Sequence, residues 1–283
     1  MYREEKQHGV LGFPFEIYHN VCLNGLNLYT HYHREFEIIH IISGSGIAYI
    51  DDKCYNISSN DILFITSEQL HGIVKRTDEQ GKYTATVFAS EFLGFSDAIE
   101  NKYIVPILNK SLQIPTLIRN EEIAASILEL SNLSNYPSYE LKAKSLLFKI
   151  WDILISLAVP STTKEISTSL NEIRKAINYI KMNYSQNITL QQLANIANMS
   201  KEYFCRKFRD ITGVSPIQYL TQIRIENSCL QLKNTDIGIG EIAMNCGFSS
   251  CSYYSETFKK HLACTPKEYR YKYTKNHLNE AIT

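Results

Sequence analysis

Phe208-Arg-Asp-Ile-Thr-Gly213-Val-Ser215-Pro216-Ile-Gln-Tyr219 is followed, fifty positions further on, by Phe258-Lys-Lys-His-Leu-Ala263-Cys-Thr265-Pro266-Lys-Glu-Tyr269. Both stretches keep the same frame of phenylalanine, a small residue, Ser or Thr, proline and tyrosine. Upstream, Leu193-Ala194 and Ile242-Ala243 each precede a residue suited to a left-handed turn, Asn198 in one copy and Gly247 in the other. Met199-Ser200 or Phe248-Ser249 comes next, then an aromatic (Phe204, Tyr254) ahead of the phenylalanine. A helix, a short turn with one positive φ and a second helix make a helix-turn-helix, and two in tandem point to DNA.

The local chemistry supports those helices. Thr189-Leu-Gln-Gln192 is a capping-box arrangement, and Leu190, Leu193, Ala194 and Ala197 fall on one apolar face. Ala194 and Ala243 are small enough for two helices to cross closely. Ser200 is a natural N-cap for a second helix that turns Tyr203, Phe204 and Phe208 inward and leaves Lys201, Glu202, Cys205, Arg206 and Arg209 outward. Pro216 and Pro266 each read as the first turn of a further helix. The first of these is expected to run from Pro216 to near Leu232, burying Tyr219, Ile223 and Leu230. At roughly 25 Å it is long enough to hold two units on one side of a duplex, whose successive major-groove faces are roughly 34 Å apart.

The whole chain carries 29 basic and 29 acidic residues, a neutral sum that by itself argues against nucleic acid. Its halves differ. Residues 168–283 hold 15 Lys and Arg against 9 Asp and Glu, a net of +6, and residues 1–167 hold 14 against 20, a net of −6. A basic C-terminal part is what phosphate binding requires.

Ile188-Thr-Leu-Gln-Gln-Leu-Ala through Gly213-Val-Ser-Pro, and Ile239-Gly-Glu-Ile-Ala-Met-Asn-Cys-Gly-Phe through Thr265-Pro-Lys-Glu-Tyr-Arg270, resemble the AraC/XylS family of bacterial transcription regulators over residues 172 to 272. The resemblance implies a compact all-helical domain with two recognition helices that enter adjacent major-groove segments of double-stranded promoter DNA. On that basis Glu202, Cys205 and Arg206, with Ser252, Tyr253, Ser255 and Glu256, would lie nearest the bases. Lys201, Arg209, Lys259 and Lys260 would meet phosphates, which position a protein without specifying sequence. Two positions depart from the family pattern. Glu256 stands where Arg or Lys is frequent; a carboxylate cannot hold a phosphate but accepts from a cytosine amino group. Ala263 replaces a usual glycine, which implies a different turn after the second recognition helix. The first unit, with Lys201, Arg206, Lys207 and Arg209, is therefore expected to carry more of the specific affinity.

The N-terminal part has another grammar. From Cys22 to about Ala89, short apolar runs (Glu37-Ile42, Ile47-Ile50, Ile62-Ile65, Thr84-Phe88) alternate with turn residues at Asn24-Gly25, Ser43-Gly46, Asp51-Asp52, Ser58-Asp61 and Glu79-Gly81. Such spacing suggests a β-barrel or sandwich. Gly25-x5-His31-x-His33-x3-Glu37-x6-Gly44 resembles the first cupin motif at each position; of the second motif only the histidine, His71, remains, with Thr66 and Glu68 at its proline and glycine positions. Imidazole plus carboxylate suits Zn, Mn, Fe or Ni, so a metal-dependent cupin enzyme, or a metal sensor fused to a DNA-binding domain, is the alternative reading. AraC-type sensor domains keep this pattern without metal. The resemblance thus implies that His31, His33, Glu37 and His71 line a small-molecule effector pocket, with no cofactor, metal or catalysis. His40 reads as a hydrogen-bonded structural histidine.

Glu121 to Leu133 and Tyr139 to Ala158 return to helical spacing, the second with Leu147, Ile150, Trp151, Leu154, Ile155 and Ala158 in one stripe. These helices are expected both to cover the barrel and to form a homodimer interface. Pro160 to Ser169 is polar and reads as a linker. The expected fold is thus two-domain, β plus α. A cupin-like barrel with accessory helices spans 1–158, a linker 159–170, a double helix-turn-helix 171–273 and a tail 274–283. The charged N-terminus and the lack of an apolar run near 18 residues predict a cytosolic chain with no membrane partner. The seven cysteines, with no Cys-x-x-Cys pair, read as reduced thiols; Cys205 and Cys251, on or beside the recognition helices, are the candidates for a redox switch. The expected function is transcriptional regulation, activation in the family's usual manner with RNA polymerase as partner, under a small-molecule effector for which family precedent suggests a carbohydrate.

Overall fold

A computed structural model of the chain describes residues 13–22, 29–75, 81–94, 96–133, 136–161 and 168–272. The expected turn at Asn24-Gly25, the middle of the linker (162–167) and the tail (274–283) lie outside them. The chain divides into two compact units, one strand-rich and one helical.

The strand-rich unit opens with β1 (Phe15–Cys22), β2 (Phe36–Ser43), β3 (Ser45–Ile50), β4 (Lys53–Ser58), β5 (Ile62–Ile65), β6 (His71–Lys75) and β7 (Lys82–Phe88). Short pairs at β8 (Leu112–Gln113), β9 (Leu117–Ile118) and β10 (Val159–Pro160) follow. One sheet runs β1-β7-β2-β5-β9 and another β4-β3-β6, with antiparallel pairing throughout. All four apolar runs read from the sequence are strands. Phe36 through Ile41 are buried without alternation because both faces of β2 are covered. Phe36 and Ile38 join a core with Phe64, Phe88 and the helices Glu121–Ser131 and Tyr139–Ser156. Trp151 sits among those rings, 5.2 Å from Phe36 and 6.0 Å from Phe64. Glu37 points the other way, since neighbours on a strand alternate, and meets His71 of the three-stranded sheet at 2.8 Å. The two sheets therefore face each other. Asn120 caps the first helix by accepting from the N–H groups of Glu122 and Ile123.

Within the stretch read as linker, Val159 and Pro160 pair with Gln113 and Leu112, and a helix is already under way at Thr168. Leu147, Ile150, Trp151 and Leu154 of the expected stripe are buried in the core of their own unit, and Ile155 and Ala158 are partly buried against it. Leu128 (59% exposed) and Leu141 (72%) remain on the outside.

The helical unit contains Thr168–Asn183, Leu190–Ile196, Lys201–Thr212, Pro216–Asn234, Ile239–Asn245 and Cys251–Leu262, and is helical again over 266–272. Thr189 and Gln192 form the expected capping box, as do Ser215 and Gln218. Asn198 (φ 50) and Gly247 (φ 80) take the left-handed turns. Two details differ from the sequence reading. Tyr203 lies 38% exposed instead of inward, with the Arg206 guanidinium over its ring. Leu230 is 53% exposed, whereas Tyr219, Leu220 and Ile223 and then Ile225 and Leu232 are buried. The linking helix packs against one helix-turn-helix with its first half and the other with its second, so no single stripe describes it. Ser250 caps the second recognition helix, accepting from the N–H of Tyr253 at 3.2 Å. Among the described residues no helix is long and apolar enough to cross a membrane.

The turn after the second recognition helix is the same as the first, although Ala263 replaces glycine. Ala263 (φ 57, ψ 13) and Gly213 (φ 76, ψ −9) are both left-handed C-caps, each donating its N–H four residues back, to Lys259 and Arg209. An L-residue there costs about 1 kcal/mol. Ala263→Gly is therefore expected to stabilise the helical unit by about 0.5–1 kcal/mol, read as a raised midpoint in urea denaturation. A lowered midpoint would show that the alanine methyl makes packing worth more than the strain.

Candidate functional site

Each recognition helix is held by aromatic residues on its inner side. Phe204 and Phe208 are fully buried in the first, and Tyr254 and Phe258 in the second. The rings continue onto the following helices, Phe208 to Tyr219 at 5.5 Å and Phe258 to Tyr269 at 5.5 Å. That clamp leaves an outer face. Lys201, Glu202, Arg206 and Arg209 are exposed on the first helix, with Cys205 half-buried at its edge. On the second, Ser252, Tyr253, Glu256, Lys259 and Lys260 are exposed and Ser255 is half-buried. The helices match in register when counted from the inner aromatics, so Arg206 corresponds to Glu256 and Arg209 to Lys259. The basic groups therefore occupy both ends of the first exposed face but only the C-terminal end of the second.

Two residues to which the sequence reading gave no part in DNA contact organise this surface. Tyr203 lies under Arg206, 5.3 Å from ring centroid to guanidinium carbon, which limits the directions the arginine samples. Arg224, on the linking helix, donates to the carbonyls of Tyr184 (Nε, 2.8 Å) and Gln186 (Nη2, 2.8 Å). A Cβ at Gly247 would fall 2.7 Å from the Ser185 oxygen and 2.8 Å from that of Tyr184. The second helix-turn-helix thus rests its turn on the same loop that Arg224 grips. The only mark of Arg224 in the sequence is a cation between Ile223 and Ile225, and nothing there points to its carbonyl partners.

The four residues singled out in the N-terminal half also come together. Donor atoms of His31, His33, Glu37 and His71 all lie within 4.8 Å of one another, and all but His31 are buried. His33 and His71 put Nε2 at 3.2 Å and 2.8 Å from the same oxygen, Glu37 Oε2. The second contact is short but lies off the line of a straight hydrogen bond. The other ring nitrogens face main-chain carbonyls, His71 Nδ1 at 2.8 Å from Gln69 O and His33 Nδ1 at 3.2 Å from Glu35 O. His31 is brought in by main-chain pairing with His71 (2.9 and 2.8 Å), and its ring centre stands 4.3 Å from that of His71. Gly72 makes the pairing possible: a Cβ there would sit 2.8 Å from Thr30 Cα and N. Burial pushes the Glu37 carboxyl pKa up, and the two imidazoles more than reverse this, holding it well below the usual carboxylate range. Tyr83, buried beside that charge, has its phenol pushed upward. His40 differs from its reading as a hydrogen-bonded residue. It lies on the opposite face of β2 from Glu37, buried, with neither ring nitrogen bonded among the described residues, and burial lowers its pKa.

Comparison with known proteins agrees with both halves. Residues 193–272 match the model of a helix-turn-helix domain and residues 16–150 that of the AraC-like ligand binding domain. The chain is 24% identical over 279 residues to the uncharacterized HTH-type transcriptional regulator YdeC of Bacillus subtilis, covering 95% of each chain. It is 26% identical to the HTH-type transcriptional activator RhaR of Mannheimia succiniciproducens, covering 87% of this chain and 88% of RhaR. Among solved structures, the C-terminal domain of AraT, a response regulator from Geobacillus stearothermophilus, is 35% identical across 36% of this chain and 84% of its own, with a TM-score of 0.35. From the doubled helix-turn-helix with its two clamped, outward-facing helices and the strand-rich unit that precedes it, the chain belongs to the AraC/XylS family, as a DNA-binding transcription regulator with an AraC-like ligand binding domain.

Proposed function

We propose that this regulator activates transcription at promoters read by its two recognition helices, under control of a small molecule that enters the strand-rich unit. The observation that carries the DNA side is the exposed, basic first recognition helix. Arg206 is pre-oriented on Tyr203 for bidentate contact with a guanine edge, and Lys201 and Arg209 flank it for phosphates. Glu202 and Cys205, with Ser252, Tyr253, Ser255 and Glu256, complete the base-facing set, and Lys259 and Lys260 anchor the second unit. The activator sense is supported by RhaR, whose name records that activity; RNA polymerase is then the protein partner. A carbohydrate is the effector class to test first, with His31, His33, Glu37 and His71 as the polar end of its chamber. Leu128 and Leu141, each next in sequence to the Glu129–Lys142 ion pair between the two accessory helices, support a homodimer through that exposed surface.

Arg206→Ala is expected to weaken binding to a cognate site by about 1–3 kcal/mol and relax its preference at one base, while Lys259→Ala weakens all sequences alike and lowers the salt slope by about one. Binding isotherms on cognate and scrambled duplexes separate the two. An Arg206→Ala isotherm that overlays the parent's on both duplexes would remove the first helix from base reading.

A further inference from the structure

We propose that Glu256 selects a cytosine at the position of its major-groove element where Arg206 selects a guanine in the other, so that the two elements of the operator differ in sequence. This inference rests on the promoter reading above and adds to it the base that the second helix requires.

The two recognition helices are one scaffold built twice. Each is 12 residues long, Lys201–Thr212 and Cys251–Leu262, and each starts at a serine whose side chain accepts from the third residue of the helix, Tyr203 or Tyr253. Each ends at a left-handed cap, Gly213 or Ala263, whose N–H donates to the carbonyl of Arg209 or Lys259. The inner faces are locked by aromatic pairs at matching positions, Phe204 with Phe208 at 5.5 Å and Tyr254 with Phe258 at 5.6 Å. Arg206 and Glu256 are therefore the same position of two helices with the same rotational setting, and both are exposed. An i to i+4 pair with Lys260 is the other employment open to this carboxylate. Among the described residues Glu256 makes no ion pair.

The two groups have opposite needs. A guanidinium only donates, and the major-groove edge of guanine offers two acceptors, N7 and O6. An ionised carboxylate only accepts, so both guanine acceptors and the phosphates repel it. The donors in the major groove are the amino groups of cytosine and adenine. Adenine sets its acceptor N7 beside the amino group, against the second carboxylate oxygen. Cytosine has a C–H edge on that side and repels nothing. Cytosine is thus the base that a carboxylate selects there. Lys259 and Lys260, exposed three and four residues further on, offset the repulsion between Glu256 and the duplex. Both elements then hold a G·C pair at this position, met through guanine by Arg206 and through cytosine by Glu256. An operator of two identical elements does not satisfy the pair of helices.

The test is selection of bound sequences from a duplex library randomised over roughly three helical turns, run in parallel with the full-length parent, Glu256→Arg, Glu256→Ala and Arg206→Ala. Far-ultraviolet spectra and urea midpoints establish that each variant is folded. The parent pool is expected to hold two elements about one helical turn apart, and the Arg206→Ala pool to lose one guanine from the motif. Glu256→Arg is expected to turn the cytosine of the other element into guanine and to leave the rest of the motif unchanged. Glu256→Ala leaves that position without preference. On duplexes with the parent motif, replacing that cytosine is expected to weaken the parent at least about 5-fold and Glu256→Ala less than about 2-fold. A Glu256→Arg pool with the parent's motif would overturn the inference and leave promoter recognition standing. So would adenine at the position that Glu256→Arg alters. A parent pool with no enriched motif would overturn the promoter reading itself, and this inference with it.

Discussion

Gly247→Ala is expected to destabilise the helical unit by about 3 kcal/mol and to reduce binding at a cognate promoter to near the level of unrelated DNA. Two costs combine. The residue is left-handed at φ 80, which an alanine tolerates at about 1 kcal/mol. The larger cost comes from the new methyl, which would lie 2.7 and 2.8 Å from the carbonyl oxygens of Ser185 and Tyr184. Those carbonyls cannot retreat freely, because Arg224 holds the same loop through Tyr184 and Gln186. The turn between the helices of the second unit must therefore move, and its recognition helix with it. Asn198 occupies the corresponding turn of the first unit at φ 50 and donates from its side chain to Glu172 Oε2 at 3.0 Å. Asn198→Gly trades that exposed bond against relief of the backbone, so a change within about 1 kcal/mol is expected. Urea denaturation followed by far-ultraviolet circular dichroism measures both. A Gly247→Ala protein as stable as its parent would show that the Tyr184–Gln186 loop yields.

Trp151→Ala is expected to cost the strand-rich unit about 3–5 kcal/mol, as the largest ring in its helix-covered core is lost. Trp151 is 5% exposed and packs against Phe36, Phe64 and Phe88, the last at 6.4 Å. Its indole Nε1 is buried without an acceptor among the described residues, so the indole's contribution is packing alone. Trp151→Phe should then cost less than about 1.5 kcal/mol, since no hydrogen bond is broken and most of the aromatic volume stays. As this is the chain's one tryptophan, parental fluorescence follows the strand-rich unit selectively, and the alanine variant is followed by circular dichroism. A phenylalanine variant as damaged as the alanine one would mean that Nε1 has a partner and that the packing account is incomplete.

Both of these sites show where sequence reading succeeds and where it stops. The fifty-residue repeat depends on local chemistry (caps, a left-handed turn, an aromatic at a set interval), so it placed Asn198, Gly247, Ser200 and the clamped phenylalanines directly. The His31, His33, Glu37 and His71 grouping was legible because a motif records in one dimension what folding closes in three. Arg224 was not legible, since its partners are main-chain carbonyls about 40 residues upstream that no side-chain pattern marks. Leu230 was misplaced for a related reason: a helix gripped from two sides has two buried faces, and a single 3.6-residue stripe describes only one. β1 (Phe-Glu-Ile-Tyr-His-Asn-Val-Cys), β4 (Lys-Cys-Tyr-Asn-Ile-Ser) and β6 (His-Gly-Ile-Val-Lys) escaped because none carries an unbroken apolar run of the kind that marked the other four long strands.

The claim on which the rest depends is sequence-specific DNA recognition by the paired units. Capturing fragmented genomic DNA on the purified protein across a salt series, and sequencing what is retained, addresses it most directly. The account predicts a few recurrent sites with two adjacent major-groove elements, lost steeply as salt rises because several phosphate contacts release counterions together. Retention of bulk DNA without enrichment, equal for the parent and for Arg206→Ala at every salt concentration, would contradict it.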